Sequence, residues 1–167
     1  CLCLQGIFTT AQQSNLETII QMGHDQSVLC LAIHPDSTIM ATGSRDKSIK
    51  LWNINNTREI RNLLGHGASV RSIDFSADGK ILASCANDET FRLWNILTGQ
   101  TIFQSEPLGD LLTSIAFLKD GKHLIVGGYI WEAYVWNIED KKIIKKIKVN
   151  PNKGTGSGVQ LAVSNDG

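Results

Sequence analysis

Tryptophan followed by asparagine occurs at Trp52-Asn53, Trp94-Asn95 and Trp136-Asn137, 42 residues apart both times. Gly23-His24 returns as Gly65-His66, and Asp46 returns as Asp88, at the same stride of 42. Different residue types that keep one interval mark an internal repeat. Each copy must then form the same unit and bury its apolar surface against its neighbours.

Stacking the copies places Ser27–His34 over Ser69–Ser76 and Leu111–Leu118. Turn residues follow each: Pro35-Asp36-Ser37, Ala77-Asp78-Gly79 and Lys119-Asp120-Gly121. Asp-Gly between apolar runs is a strong hairpin signal. Second strands are expected at Thr38–Gly43, Lys80–Ala86 and Lys122–Gly128. Third strands are expected at Ser48–Ile54, Thr90–Ile96 and Ala133–Ile138. Fourth strands are expected at Glu59–Leu64, Gln100–Gln104 and Lys142–Val149. Four short strands per 42 residues, with no long helical pattern, is the spacing of a propeller blade. Val163–Gly167 resembles Phe75–Gly79 and opens a further copy, after a turn-rich loop at Asn150–Gly158. Thr18–Met22 reads as the last strand of a preceding copy. The expected organisation is an unassigned segment or degenerate strand over 1–16, then a propeller region 17–167. Its repeats are expected near 17–58, 59–100 and 101–142, with a fourth beginning at 143–167.

The 16 basic residues balance the 16 acidic ones, so no net field favours a nucleic acid or a membrane surface. No apolar run approaches the roughly 20 residues of a spanning helix. The opening Cys1 is not followed by a signal-peptide pattern, and both ends look cut, so the chain is expected to be part of a longer protein. Cys1, Cys3, Cys30 and Cys85 contain no Cys-x-x-Cys pair. They are expected to be free thiols, with no metal site.

The residues Gly23-His24, Asp46 and Trp52-Asn53, with Gly65-His66, Asp88 and Trp94-Asn95, resemble the WD-repeat signature, with Asn in place of the family's final Asp. The resemblance implies an all-β, partial WD-repeat β-propeller: about three complete four-stranded antiparallel blades plus parts of two more. A full ring of about seven blades would need a longer chain or association. The family resemblance also implies a buried hydrogen-bond chain within each blade. Its members here would be His24, Thr42, Asp46 and Trp52, then His66, Ser84, Asp88 and Trp94. In the third copy the matching positions are Leu108, Val126, Ile130 and Trp136. Apolar groups throughout are expected there to leave no polar partner stranded.

His, Asp and Ser also invite a hydrolase reading. A trio duplicated at every stride is better explained as architecture, because catalytic triads are defined by geometry and role. Gly154–Gly158 has no lysine where a phosphate loop needs one, and no helix pattern follows it. No catalytic residue, cofactor or metal is therefore expected. By resemblance, one rim carries three exposed positions per blade: Ser27, Leu29 and Arg45; Ser69, Arg71 and Asn87; Leu111, Thr113 and Tyr129. Arg45, Arg71 and Tyr129 are the favoured contacts, since Arg and Tyr combine planar area with polar reach. Trp131 either packs around Ile130, which is the favoured reading, or stands as an exposed anchor. Lys141–Lys148 would place lysines along an outer edge, either guarding it or meeting phosphates.

The expected function is a non-catalytic protein-interaction scaffold inside the cell, cytoplasmic or nuclear, with other proteins or peptides as partners and no membrane. The alternatives are an RNA-associated propeller of a ribonucleoprotein complex and a sensor propeller attached to an enzyme encoded outside this chain.

Overall fold

The computed structural model describes residues 23–130, 132–148 and 159–161. Twelve strands fall into three sheets, each an antiparallel meander in chain order. The first holds β1 (Val28–Ile33), β2 (Ile39–Ser44), β3 (Ile49–Asn53) and β4 (Glu59–Leu63). The second holds β5 (Val70–Phe75), β6 (Ile81–Ala86), β7 (Phe91–Asn95) and β8 (Thr101–Gln104). The third holds β9 (Leu112–Phe117), β10 (His123–Gly128), β11 (Glu132–Asn137) and β12 (Lys142–Lys148). Every strand begins and ends within one residue of its expected bounds. The expected pieces of two further blades, Thr18–Met22 and Val163–Gly167, lie outside the described residues, as do segment 1–16, Trp131 and the loop at 150–158.

The turns follow from local chemistry. In each β1–β2-type hairpin an aspartate carboxylate accepts the backbone N–H two residues on: Asp36 from Thr38 (2.8 Å), Asp78 from Lys80 (3.1 Å) and Asp120 from Lys122 (2.8 Å). The residue between is left-handed each time: Ser37 (φ 61°), Gly79 (φ 71°) and Gly121 (φ 65°). At Gly79 the glycine is needed for space as well, because a Cβ there would lie 2.1 Å from His34 Nε2.

The sheets stand side by side with their first strands adjacent. Cys30 Sγ lies 3.9 Å from the Val70 carbonyl, and the Ser72 hydroxyl donates weakly to the Ile115 carbonyl (3.5 Å). The Phe117 N–H donates to Asp74 (2.8 Å), so the first strands of sheets two and three are joined through a carboxylate as well. Thr113 and Ser114 repeat the pattern by donating to the carbonyl of Val159, at 2.7 and 2.6 Å. One apolar core, including Leu51, Leu63, Ile73, Phe75 and Trp94, lies between the first two sheets. A second, including Phe91, Leu93, Leu112, Leu124 and Trp136, lies between the second and third. What a neighbouring sheet contributes is visible at one repeated position. Ile73 and Ile115 are 6% and 4% exposed, whereas their counterpart Leu31 is 63% exposed. Among the described residues, no sheet covers the Leu31 side of sheet one.

Candidate functional site

Two sets of repeated residues come together, one inside each blade and one at its end. In the first blade, His24 Nδ1 lies 2.9 Å from Asp46 Oδ2, and His24 Nε2 lies 2.8 Å from Thr42 Oγ1. The Trp52 indole N–H donates to the same hydroxyl at 2.8 Å. A carboxylate only accepts, so Nδ1 carries the proton facing Asp46. The Thr42 oxygen accepts from the indole and spends its own proton on Nε2. The second blade has the same chain: His66 Nδ1 to Asp88 (2.9 Å), His66 Nε2 to Ser84 Oγ (2.8 Å) and Trp94 Nε1 to Ser84 Oγ (2.8 Å).

Two members of this network were missed in the sequence reading. Ser48 Oγ and the Ser48 N–H both donate to Asp46 Oδ1, at 2.6 and 2.9 Å. Thr90 does the same to Asp88, at 2.8 and 3.1 Å. Asp-x-Ser and Asp-x-Thr at the repeat stride carried the signal. Burial raises the Asp46 pKa, but donors from Ser48, His24 and the Asp25 backbone outweigh it and bring the value down to about 2. Burial likewise opposes ionisation of Asp88. His66, the Gly67 N–H and Thr90 overcome it and hold the carboxyl well below the usual range.

A hydroxyl that is bonded to an indole and an imidazole and sits 0% exposed, as Ser84 does, is not presented to a substrate. The trio holds the turn between the second and third strands of its blade to the segment before the first strand.

The third blade corrects one expectation. Apolar replacement does strand a polar group: Trp136 Nε1 is buried and has no hydrogen-bond partner among the described residues. Its tryptophan is kept, but Val126 stands where Thr42 and Ser84 supply an oxygen. The structure also shows a polar bridge that the sequence reading did not anticipate. In blades one and two the turn aspartate accepts the N–H of Asp25 (3.0 Å) or Gly67 (2.7 Å). In blade three the carboxylate is on the other side of the gap. Asp110, 6% exposed, accepts the N–H of Ile130 at 2.8 Å. Gly128 makes this feasible, since a Cβ there would lie 2.0 Å from Asp110 Oδ2.

The rim positions occupy equivalent places in all three blades. Arg45 N–H donates to the Ser27 carbonyl (2.9 Å), Asn87 to Ser69 (3.0 Å) and Tyr129 to Leu111 (2.9 Å). The other position in each blade is a β-bulge. The pairing of β1 with β2 skips Leu29, that of β5 with β6 skips Arg71, and that of β9 with β10 skips Thr113. A bulge leaves its extra residue out of the ladder and re-aims the side chain. Ser27, Arg45, Arg71, Leu111 and Tyr129 are exposed, while Leu29, Ser69 and Asn87 are half-buried. Thr113 is half-buried too, and its hydroxyl is engaged with the Gly127 and Val159 carbonyls.

The family model described as WD domain, G-beta repeat matches residues 15–53 and 57–95. Together with the three antiparallel four-stranded blades, this establishes the class: the chain belongs to the WD-repeat family, with a β-propeller fold. It is 48% identical over 46 residues to the probable E3 ubiquitin ligase complex SCF subunit sconB of Arthroderma benhamiae, covering 28% of this chain and 7% of that protein. It is 33% identical over 48 residues to a ribosome biogenesis protein BOP1 homolog of Anopheles gambiae, covering 29% of this chain and 6% of that protein. The matches therefore span only a small part of these relatives' length. Among solved structures, U3-55K superposes with a TM-score of 0.73 at 22% identity, over 83% of this chain and 42% of that one. The RRP9 WD40 repeats superpose equally well. These two share the fold.

Proposed function

We propose that this propeller is a non-catalytic scaffold that presents its rim to partner proteins in a multiprotein assembly inside the cell, cytoplasmic or nuclear. The observation that carries the reading is the division of labour between the two repeated sets. The chemically versatile residues His66, Asp88 and Ser84 are consumed in holding a turn. The turn residues Arg45 and Tyr129 and the bulged Arg71 are exposed to solvent beside those turns. Arg and Tyr at such places are the residue types that dominate binding energy at protein interfaces. WD-repeat relatives named as subunits of an SCF complex support a role in assemblies. No helix among the described residues is long and apolar enough to cross a membrane.

An RNA-associated role is the second reading, and the lysines of β12 are its support. Tyr134 and Trp136, the aromatic residues on the adjoining strand β11, are buried at 3% and 8% exposure and offer no face for base stacking. The test is affinity purification of the full-length protein and of an Arg45→Ala/Arg71→Ala/Tyr129→Ala variant with matched thermal stability. Partner recovery should fall about tenfold or more, as expected when contacts of 1–2 kcal/mol are removed. Equal recovery of every partner would overturn the rim assignment.

A further inference from the structure

The three blades end in unlike outer strands. β4 (Glu59–Leu63) carries one acid and one base, and β8 (Thr101–Gln104) carries no charge. β12 runs for seven residues, Lys142–Lys148, and with Lys141 holds five lysines and no acid in eight positions. Those five are nearly a third of the chain's 16 basic residues, in a molecule whose formal charges sum to zero.

The lysines are exposed, and they fan to both sides of the strand. Lys146 and Lys148 lie opposite Tyr134 and Glu132, while Lys145 lies opposite Val135 on the other face. Two of them are steadied by aromatic rings: Lys146 Nζ stands 5.4 Å from the Tyr134 ring, and Lys141 Nζ stands 5.9 Å from the Phe103 ring. Only Lys142 has an acidic partner within 4 Å among the described residues, an exposed Asp140 at 3.3 Å. Ile144, 49% exposed, lies between the lysine pairs.

β12 is also the edge of its sheet. Its one strand neighbour among the described residues is β11, so backbone N–H and C=O groups face outward on either side of a bulge at Ile144, with Lys145–Lys148 forming the regular stretch. Lysines on an edge strand oppose pairing with another neutral or basic strand. They favour an acidic one, whose carboxylates on both faces would meet lysines on both faces while its main chain continues the ladder.

We propose that the outer edge of the third blade is a second docking site, separate from the rim, that takes an extended acidic segment of a partner protein by strand addition. The exposed Ile144 among the lysines offers an apolar contact that suits the side chains of a polypeptide. The burial of Tyr134 and Trp136 removes the aromatic platform that single-stranded RNA would use.

The experiment measures fluorescence anisotropy of labelled probes on the full-length protein. The probes are a peptide of about eight residues in Glu-Glu-Val-Val order, which sets carboxylates on both faces of a strand, the same peptide with both Val of its inner pair replaced by Pro so that one Pro falls on each side of the ladder, its Lys-for-Glu counterpart, and an oligouridine of matching length. The Glu-Val peptide should bind and weaken about tenfold between about 50 and 200 mM salt, as charge pairs are screened. The Pro peptide, which cannot donate to the ladder, should lose binding about tenfold or more. Lys145→Glu/Lys146→Glu/Lys148→Glu should abolish binding of the Glu-Val peptide and gain the Lys-for-Glu counterpart, which also shows that the variant is folded. The rim variant Arg45→Ala/Arg71→Ala/Tyr129→Ala should bind the peptide unchanged, so failure of either site is read separately. Equal binding of the Pro peptide would overturn strand addition. Tighter binding of oligouridine, lost with the same lysines, would reassign the edge to nucleic acid. Absence of binding by the Glu-Val peptide would overturn the proposal outright.

Discussion

Blades two and three have the same four strands and the same tryptophan, yet close the same gap in opposite ways. In blade two the turn supplies the carboxylate, Asp88, and the incoming segment supplies His66 and the Gly67 N–H. In blade three the incoming segment supplies the carboxylate, Asp110, and the turn supplies the Ile130 N–H. Blade two satisfies its buried indole with Ser84, whereas blade three leaves Trp136 Nε1 unpaired among the described residues. The backbone of a blade is thus compatible with two polar solutions. Packing of Trp136 against Phe91 (5.1 Å between ring centroids) and Phe103 (5.4 Å) holds the tryptophan without its hydrogen bond.

The largest effect should come from breaking the blade-two solution. Asp88→Ala leaves His66 Nδ1, the Gly67 N–H and both Thr90 donors without their acceptor. It should cost about 3–4 kcal/mol in urea unfolding, whereas Ile130→Ala, at the matching place in blade three, should cost less than about 1 kcal/mol. Gly128→Ala comes next. Its methyl group occupies the position of Asp110 Oδ2, so the cost should be about 3 kcal/mol. In a double-mutant cycle with Asp110→Ala the two costs should fall well short of additive; strict additivity would show that the carboxylate and the glycine are independent.

A smaller gain would sharpen the contrast from the other side. Val126→Thr gives the Trp136 indole the oxygen it lacks and should raise stability by about 1 kcal/mol, with slower exchange of the indole proton. No gain would mean that the ring cannot be reached from that position. The finest test is acid titration. Asp46 and Asp88 have lowered pKa values in the folded blades. Their contribution is complete above the unfolded aspartate value of about 3.9, and it is lost as pH falls through the folded values, about 2 for Asp46 and well below the usual carboxylate range for Asp88. Blades one and two should therefore lose stability below about pH 4. Asp46→Asn and Asp88→Asn should flatten that limb, while Asp120→Asn, in an exposed turn, should change it far less.

The polar chains of blades one and two were legible through the WD-repeat resemblance, which rests on residues that repeat at one stride. His24 with His66, Asp46 with Asp88 and Trp52 with Trp94 align at one stride. The Asp110 bridge was not legible, because it replaces a repeated residue with an unrepeated one at a different position. The bulges at Leu29, Arg71 and Thr113 were equally silent, since three dissimilar side chains share only a backbone irregularity.

By itself, then, the sequence determined the period, the strands and the chemistry that recurs. Those depend on local preferences and on side-chain type, which a stride of 42 exposes. The tertiary structure alone decided that Val126 strands an indole, that Gly128 makes room for Asp110, and that Ile73 is buried where Leu31 is open. Each of these is a distance between residues far apart in the chain, and only packing sets such distances.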